Sequence, residues 1–201
     1  MFINKNLSLF AFQNKNQLIM ESRTNLTLKA LYILSWIIFI GVCIEAGGSI
    51  FSSFYTLVIN SYNARTFWEG NDLSALYKFD PGHFLAETTY ISIAGVLKAI
   101  MFYLVIQIQH DKKVNMTQPF NNQVRRFIVK VSYLAFGIAL FTWWGVKYTK
   151  WLVGQGVPMP DTQNLRLGGA DVWLLMGVTL FVIAQIFKKG IEIQSENELT
   201  V

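Results

Sequence analysis

Four long apolar segments alternate with polar stretches along the chain. They run from about 30 to 60, 84 to 108, 127 to 146 and 171 to 187. A helix needs roughly 20 mainly apolar residues to cross the ~30 Å hydrocarbon core of a bilayer, and the fourth segment just reaches that length. The pattern therefore predicts an all-α, multi-pass membrane protein. Its bundle of four transmembrane helices would lie within residues 29–190.

The first segment is longer than one crossing requires, because its roughly thirty residues would extend ~45 Å as a helix. We expect this helix to be tilted, to project from the membrane, or to bend near Gly47-Gly48. The Asn-rich residues 1–28 predict a loosely ordered cytoplasmic extension, with Met1 and Met20 as alternative starts. Gly190, which follows Lys188-Lys189, is suited to end the last helix, and residues 191–201 are predicted to form a cytoplasmic tail.

The composition agrees with this prediction. Of the 201 residues, 53% are hydrophobic and 14% are charged, whereas a soluble domain typically has about 25% charged residues. Little chain is left outside the apolar segments for a separate soluble domain of ordinary size. The single cysteine, Cys43, lies in the first segment, which excludes an intrachain disulfide and cysteine-based zinc sites within one chain.

The net charge of +5 indicates membrane topology and no direct contact with nucleic acid, because the basic residues gather at segment ends. Cytoplasmic loops of membrane proteins carry an excess of lysine and arginine. The two termini and the loop between segments two and three hold most of these residues, so we expect both termini in the cytoplasm. The basic residues on that side are Lys5, Lys15, Arg23, Lys29, Lys112, Lys113, Arg125, Arg126, Lys130, Lys188 and Lys189.

Two charged residues, Glu45 and Lys98, lie inside apolar segments one and two. A charge at the bilayer centre costs ~2.5–3.5 kcal/mol on insertion scales, so such residues usually face a partner or a cavity. The two helices start at the same boundary, and counting along them places both charges within ~10 Å of the same depth. Small residues share the helix face of Glu45, at Gly41, Gly48 and Ser52, which favours packing of that face against another helix.

The Glu45–Lys98 contact is a hypothesis with two interpretations. In one, the pair responds to protons or ions, or lines a polar ligand pocket. In the other, it is a structural salt bridge, or each side chain reaches to its nearer interface. Four short helices without an evident repeat are unlike a carrier, which usually has inverted repeats and broken helices.

Signatures of enzymes and cofactor sites are absent from the sequence, which has no Walker loop, HExxH or GxSxG motif and no dinucleotide fingerprint. The two histidines, His83 and His110, flank segment two at opposite membrane faces and cannot ligate one haem or metal together. The acidic residues near His83, which are Asp72, Asp80 and Glu87, are more typical of a solvated loop than of a metal site. We therefore expect no enzymatic activity, no cofactor and no metal.

The cytoplasmic loop and tail present a candidate contact surface. Phe120 is apolar in a polar loop, and the tail ends in apolar residues. One interpretation docks Phe120 at the interface and folds the tail back on the bundle; the other is a surface for a partner protein or anionic lipid. The candidate contact residues are Phe120, Arg125, Arg126, Glu196, Glu198, Leu199, Thr200 and Val201.

The same two segments resemble a known family. The run Ala184–Gly190 followed by Glu196–Val201 is similar to the C-terminus of bacterial membrane proteins of the DUF2975 family, which end in a pattern like "aEIFrrG…EnDLTV". Gln185 replaces the usual acid, and Glu198 stands where aspartate is common. The turn Gln118-Pro119-Phe120 resembles the "kPF" element of that family. The resemblance extends over roughly residues 30–201.

The resemblance implies a multi-pass protein of the bacterial cytoplasmic membrane, without established catalytic residues. Genes of this family often lie beside a small helix-turn-helix regulator, which implies a membrane-bound signalling or regulatory role. We therefore expect a non-enzymatic sensor or regulator in the lipid bilayer that acts on such a partner, with homo-oligomers as a further option. The alternatives are a small transporter, channel or immunity-type protein that uses Glu45 and Lys98, or an accessory subunit of a larger membrane complex.

Overall fold

The computed structural model describes residues 2–110 and 120–198, and for residues 2–25 and 197–198 the backbone alone. Five α-helices follow one another in these ranges: α1 (Phe2–Val58), α2 (Ser74–Phe79), α3 (Pro81–His110), α4 (Asn122–Gly154) and α5 (Ala170–Glu198). All of them except α2 are long and apolar enough to cross a membrane. The prediction of an all-α, multi-pass membrane protein with four spans is confirmed.

The helices are longer than the predicted segments. α1 starts at Phe2, in the stretch where the sequence predicted a loosely ordered extension. It also continues through Gly47-Gly48 to Val58 without interruption. Adding a residue to an existing helix is far easier than starting one, which favours extension from a long apolar helix into neighbouring polar sequence. α5 likewise passes Gly190, which we expected to end it, and continues to Glu198.

The long helices pack in chain order. α1 contacts α3, α3 contacts α4, and α4 contacts α5, while in the described residues α1 has no contact with α4 or α5. The apolar spans of α1 and α5 are mostly exposed, whereas those of α3 and α4 are more deeply buried. The four spans therefore form an open series of neighbours, with the outer faces of α1 and α5 available to lipid.

The connections 59–80 and 155–169 lie at the same end of the helices and are together called the cap. They contribute Phe67, Leu73 and Leu167 to an apolar core that also contains Phe84 of α3 and Leu152 of α4. The Phe67 ring meets the Phe84 ring edge-on, with 6.0 Å between the centroids. A second core lies deeper between the helices. The cap is thus packed onto α3 and α4, and the loop 155–169 has a defined position.

Candidate functional site

The face of α1 that carries Glu45 packs against α3 at the level of Gly95. A Cβ atom built on Gly95 would lie 3.1 Å from the Cβ atom of Ala46, so the two helices approach closely here. Ser49, Ser52 and Thr56 continue the buried face toward the cap. Glu45 stands at the edge of this contact, with 26% of its side chain exposed.

The predicted stripe of small residues on α1 is only partly used in packing. An added Cβ atom on Gly48 would collide with the ring of Trp68, so glycine makes room there for a cap side chain. A Cβ atom on Gly41 would meet nothing within 4 Å. Ser52 is buried. The part of the stripe near the cap therefore forms the contact, and Gly41 does not.

Arg166, in the loop before α5, connects three parts of the molecule. Its Nη2 atom donates to both carboxylate oxygens of Glu69 in the cap, at 3.1 Å each. Its Nε atom lies 3.8 Å from Oε1 of Glu45 on α1. Its backbone carbonyl accepts a hydrogen bond of 3.2 Å from Nζ of Lys98 on α3. We call Glu45, Glu69, Lys98 and Arg166 the ion clasp.

The structure brings Glu45 and Lys98 to one site, but joins them through Arg166. The ion-pair partner of Glu45 is Arg166, and Lys98 binds the main chain of the same residue. Neither Arg166 nor Glu69 was among the candidate residues predicted from the sequence. A signal was available, because an intramembrane acid predicts a basic partner and Arg166 is a base in a loop at the cap end.

Glu69 and Arg166, which form an ion pair, both have unusual backbone angles. Glu69 has φ of 59° and Arg166 has φ of 58°. Non-glycine residues seldom take positive φ values, and each such conformation costs on the order of 1–3 kcal/mol. These two residues contact each other, so surrounding packing holds both of them in the left-handed region. Strained residues of this kind cluster at functional sites, which supports the clasp as the candidate site.

The electrostatics of the clasp keep Arg166 positively charged. Its hydrogen bonds to Glu69, and then the charges of Glu45 and Glu69, raise the pKa of the guanidinium above its ordinary value. Two acids and two bases make up the clasp, so their formal charges balance when all four are ionised. The site is therefore suited to holding loops and helices together, and it does not present a net charge to a substrate.

A cavity of about 20 Å³ lies beside the clasp, lined by Glu45, Ser49, Trp68 and Asn71 among others. This volume fits about one water molecule. The indole Nε1 of Trp68 is buried, and no described residue accepts its hydrogen. Asn71 closes one side by donating to the backbone carbonyl of Trp68 at 2.9 Å. The cavity is thus suited to a single small hydrogen-bonding species.

The other acidic residues near His83 have separate local roles. Oδ1 of Asp72 accepts from the backbone of Ser74 at 2.9 Å, where α2 begins. Oδ1 of Asp80 accepts from the backbone of His83 at 3.0 Å, where α3 begins. Glu87, which we expected in a solvated loop, is fully buried within α3. In the described part of the chain, no three His, Cys, Asp or Glu side chains are grouped as metal ligands.

At the opposite end, Phe120 packs on α5. Its ring centroid is 5.2 Å from that of Phe187, and an added Cβ atom on Gly190 would collide with it. Arg125 and Arg126 lie near the start of α4, where the side chain of Asn121 accepts from the backbone of Val124. Glu196 is exposed on α5. The Glu198 side chain and Leu199, Thr200 and Val201 lie outside the described residues.

Residues 32–201 match the family described as protein of unknown function (DUF2975). The chain belongs to the DUF2975 family. The expected resemblance is therefore confirmed over the four spans, the cap and the tail. No curated protein and no solved structure matches this DUF2975 chain. Since the family description assigns no function, the roles of the clasp in this DUF2975 protein have to be argued from its own geometry.

Proposed function

We propose that this protein is a non-enzymatic membrane sensor or regulator whose responsive element is the ion clasp. The observation that carries this proposal is Arg166, which ties α1, α3 and the cap together from a single loop. The ties are polar and partly exposed, so a small molecule, an ion or a change of lipid environment can compete with them. A compact bundle without a function of this kind would need no strained, charged junction at its cap.

The proposed signal path runs along α1 and α3. At the end opposite the cap, the Tyr32 hydroxyl lies 3.3 Å from Nδ1 of His110. Nearby, Nε2 of Gln109 donates to Oγ of Ser35 at 3.2 Å. α1 and α3 are thus linked by polar contacts at both ends of their shared surface. Opening of the clasp would change how α1 lies on α3, and these two contacts would have to adjust.

The proposed output is on a cytoplasmic protein, such as a small helix-turn-helix regulator. The basic residues at the end opposite the cap support a cytoplasmic position for both termini in a bacterial inner membrane. Phe120 and α5 form a continuous surface at that end, because the Phe120 ring lies against Phe187 and Gly190. Arg125, Arg126 and the tail from Glu196 onward would extend this surface.

A pull-down in mild detergent from the native membrane tests the proposal. Four tagged proteins are compared: the full chain, a chain ending at Gly190, Arg166→Gln, and Arg65→Gln as a matched cap arginine outside the clasp. We expect the full chain and Arg65→Gln to recover a DNA-binding partner in equal amount. The shortened chain should lose it, and Arg166→Gln should change its yield several-fold.

Other outcomes would contradict the proposal and favour one of its alternatives. Recovery of membrane subunits whether or not the tail is present indicates an accessory subunit. If nothing co-purifies, ion or solute flux into liposomes becomes the decisive measurement. Flux that is lost in Glu45→Gln, but kept when Glu192 on α5 is replaced by glutamine, would indicate a transporter or channel.

A further inference from the structure

Glu87 is a carboxyl group in the apolar core beneath the cap. None of its surface is exposed. Oε1 lies 2.5 Å from the hydroxyl oxygen of Thr149 on α4. Oε2 is buried, and no described residue donates a hydrogen bond to it. Within the described chain no lysine, arginine or histidine forms an ion pair with Glu87. An ionised carboxylate without a cation in such a place is strongly disfavoured.

The Thr149 hydroxyl shows how a proton can be accommodated. It lies within hydrogen-bond distance of two oxygens, which are Oε1 of Glu87 and the backbone carbonyl of Gly145 at 2.9 Å. A hydroxyl has one hydrogen to donate but can also accept. If Thr149 donates to Gly145, as threonine commonly does within a helix, the contact with Glu87 needs a hydrogen from the carboxyl group.

We propose that Glu87 is a proton-binding site. In the protonated form the carboxyl group donates to Thr149, and Thr149 donates to Gly145. When the proton leaves, Thr149 turns its hydrogen from Gly145 to the carboxylate, and the Gly145 carbonyl loses that bond. The ligand is a proton, and its loss leaves an unpaired negative charge in an apolar core. This proposal stands whether or not the protein signals to a partner.

The titratable neighbours of Glu87 are one histidine, three tyrosines and one acid. On α3 they are His83 and Tyr90, and on α4 Tyr148, whose hydroxyl hydrogen-bonds the ring of His83. Asp80 lies within electrostatic range of Tyr148, as do Glu87 and Tyr90. From α2, Tyr77 reaches this core against Phe84. The loop 155–169 contributes apolar residues there. These groups supply no fixed positive charge to replace the proton on Glu87.

The Glu87 site also touches the loop that carries the ion clasp. An added Cβ atom on Gly145 would lie 2.8 Å from the Leu167 side chain, so Leu167 packs directly on this part of α4. Leu167 follows Arg166 in the chain. Rearrangement at Thr149 and Gly145 on proton loss therefore acts on the residue next to the clasp. Protonation of Glu87 is expected to favour the closed clasp.

Infrared spectroscopy of the full chain in lipid bilayers tests this proposal. We expect the carbonyl stretch of a protonated carboxyl group near neutral pH, and its loss in Glu87→Gln. The band should be retained in Glu192→Gln, which removes a partly exposed, lysine-paired acid of α5. Raising the pH should remove the band from the wild-type spectrum. Identical wild-type and Glu87→Gln spectra, or a band that no alkaline pH removes, would overturn the proposal.

A second pair of variants keeps the test decisive if Glu87→Gln does not fold. Thr149→Val removes the hydroxyl that accepts from the carboxyl group, whereas Thr149→Ser retains it. We expect the carboxyl band to shift to higher frequency in Thr149→Val and to keep its position in Thr149→Ser. A band that is unmoved by Thr149→Val belongs to another acid, and the proposal fails.

Discussion

Arg166 serves the ion clasp with both its side chain and its main chain. The guanidinium bonds Glu69 and lies near Glu45, while the carbonyl receives Lys98. About half of the side chain is exposed, and exposed ion pairs contribute only ~0–1 kcal/mol each. Its importance therefore lies in fixing the position of the loop against α1 and α3, more than in the total stability of the fold.

Removing the guanidinium should affect the loop more than the whole molecule. We expect Arg166→Gln to lower the free energy of unfolding by about 1–2 kcal/mol, because it also leaves Glu45 without its partner in the membrane. Amide exchange should quicken over residues 155–169. In a double-mutant cycle, Glu45→Gln should lower the free energy of unfolding by less in the Arg166→Gln background than in the wild type. Additive effects would show that the two side chains do not interact.

Asp72 gives a prediction for acid pH. Hydrogen bonds from the side chain and backbone of Ser74 lower the pKa of this carboxyl below its ordinary value. An acid whose pKa is lowered by folding stabilises the folded state at pH values above its unfolded pKa. That contribution is lost as the pH falls through the folded pKa. Amide protection of α2 should therefore fall below about pH 4. Asp72→Asn should remove this pH dependence. If amide protection of α2 falls with pH in Asp72→Asn as it does in the wild type, the prediction is contradicted.

The helices depend on close contact at a few positions. α1 meets α3 where Ala46 lies over Gly95, and Phe120 meets α5 where Gly190 leaves room for its ring. Small residues allow close helix approach in membranes, where water does not drive apolar helices together. The α1–α3 contact lets Glu45 and Lys98 reach the same residue, Arg166, so the geometry of the clasp depends on the fit between these helices.

A larger side chain at the α1–α3 contact should separate these helices. Overpacking of a well-packed interior typically costs 1–3 kcal/mol, and we expect about 2 kcal/mol for Gly95→Leu. Gly41→Leu is the matched control, because a Cβ atom there meets nothing within 4 Å. Unfolding in a denaturing detergent measures both free energies. Equal effects of the two substitutions would show that close approach at Gly95 is not required.

Phe120 and Gly190 can be tested as a pair. Gly190→Leu places atoms where the Phe120 ring lies, so we expect faster proteolysis near residue 120 and a loss of about 1–2 kcal/mol. In a Phe120→Ala background the same leucine should have little further effect, because the collision is gone. If Gly190→Leu is equally disruptive in both backgrounds, the effect comes from the helix itself.

At the scale of the whole molecule, the cap unites an otherwise open series of helices. The loop 155–169 crosses from α4 toward α1, and its apolar residues enter the core formed with α3. The clasp and the Glu87 site lie on either side of this loop, one through Arg166 and the other through Leu167. The partly exposed clasp and the buried Glu87 site therefore both contact the loop 155–169.

Truncation of Leu167 should affect both the ion clasp and the Glu87 site. It is fully buried, and leucine-to-alanine substitutions in cores typically cost 2–5 kcal/mol. We expect Leu167→Ala to destabilise the protein by about 2–3 kcal/mol and to shift the infrared band of Glu87. Leu174→Ala is the control, since Leu174 is 52% exposed on α5. A shift of the band in both variants, or in neither, would show that the packing of Leu167 does not control the environment of Glu87.

The sequence predicted well those features that depend on local composition. Runs of about 20 apolar residues identified the four spans, and the cost of a buried charge singled out Glu45 and Lys98. The partner Arg166 was missed because it lies 68 residues beyond Lys98, so only the fold of the cap brings it there. Glu87 was assigned to a solvated loop although it lies just inside the span predicted to begin at residue 84, because nothing in the sequence indicated that the cap would cover this end of the helix.

Gly190 illustrates the opposite error. Glycine after a basic pair is a common helix stop, and the sequence alone favours that interpretation. In the structure, the absence of a side chain admits the ring of Phe120, and the helix continues. Phe120 itself lies against α5, which neither interpretation of the loop had proposed. Local propensity could not reveal this contact, because it joins residues far apart in the chain.

The order of contacts also bears on how the protein is made. Each span packs on the span synthesised just before it, so helix pairs can form as the chain emerges into the membrane. Glu45 and Lys98 enter the bilayer early, yet Arg166 is translated only after α4 is complete. During that interval the two charges lack the residue that joins them. Closure of the clasp would then mark completion of the part of the chain up to the loop before α5. Ribosome-bound chains halted before residue 166 would expose Glu45 and Lys98, without their partner, to membrane quality control.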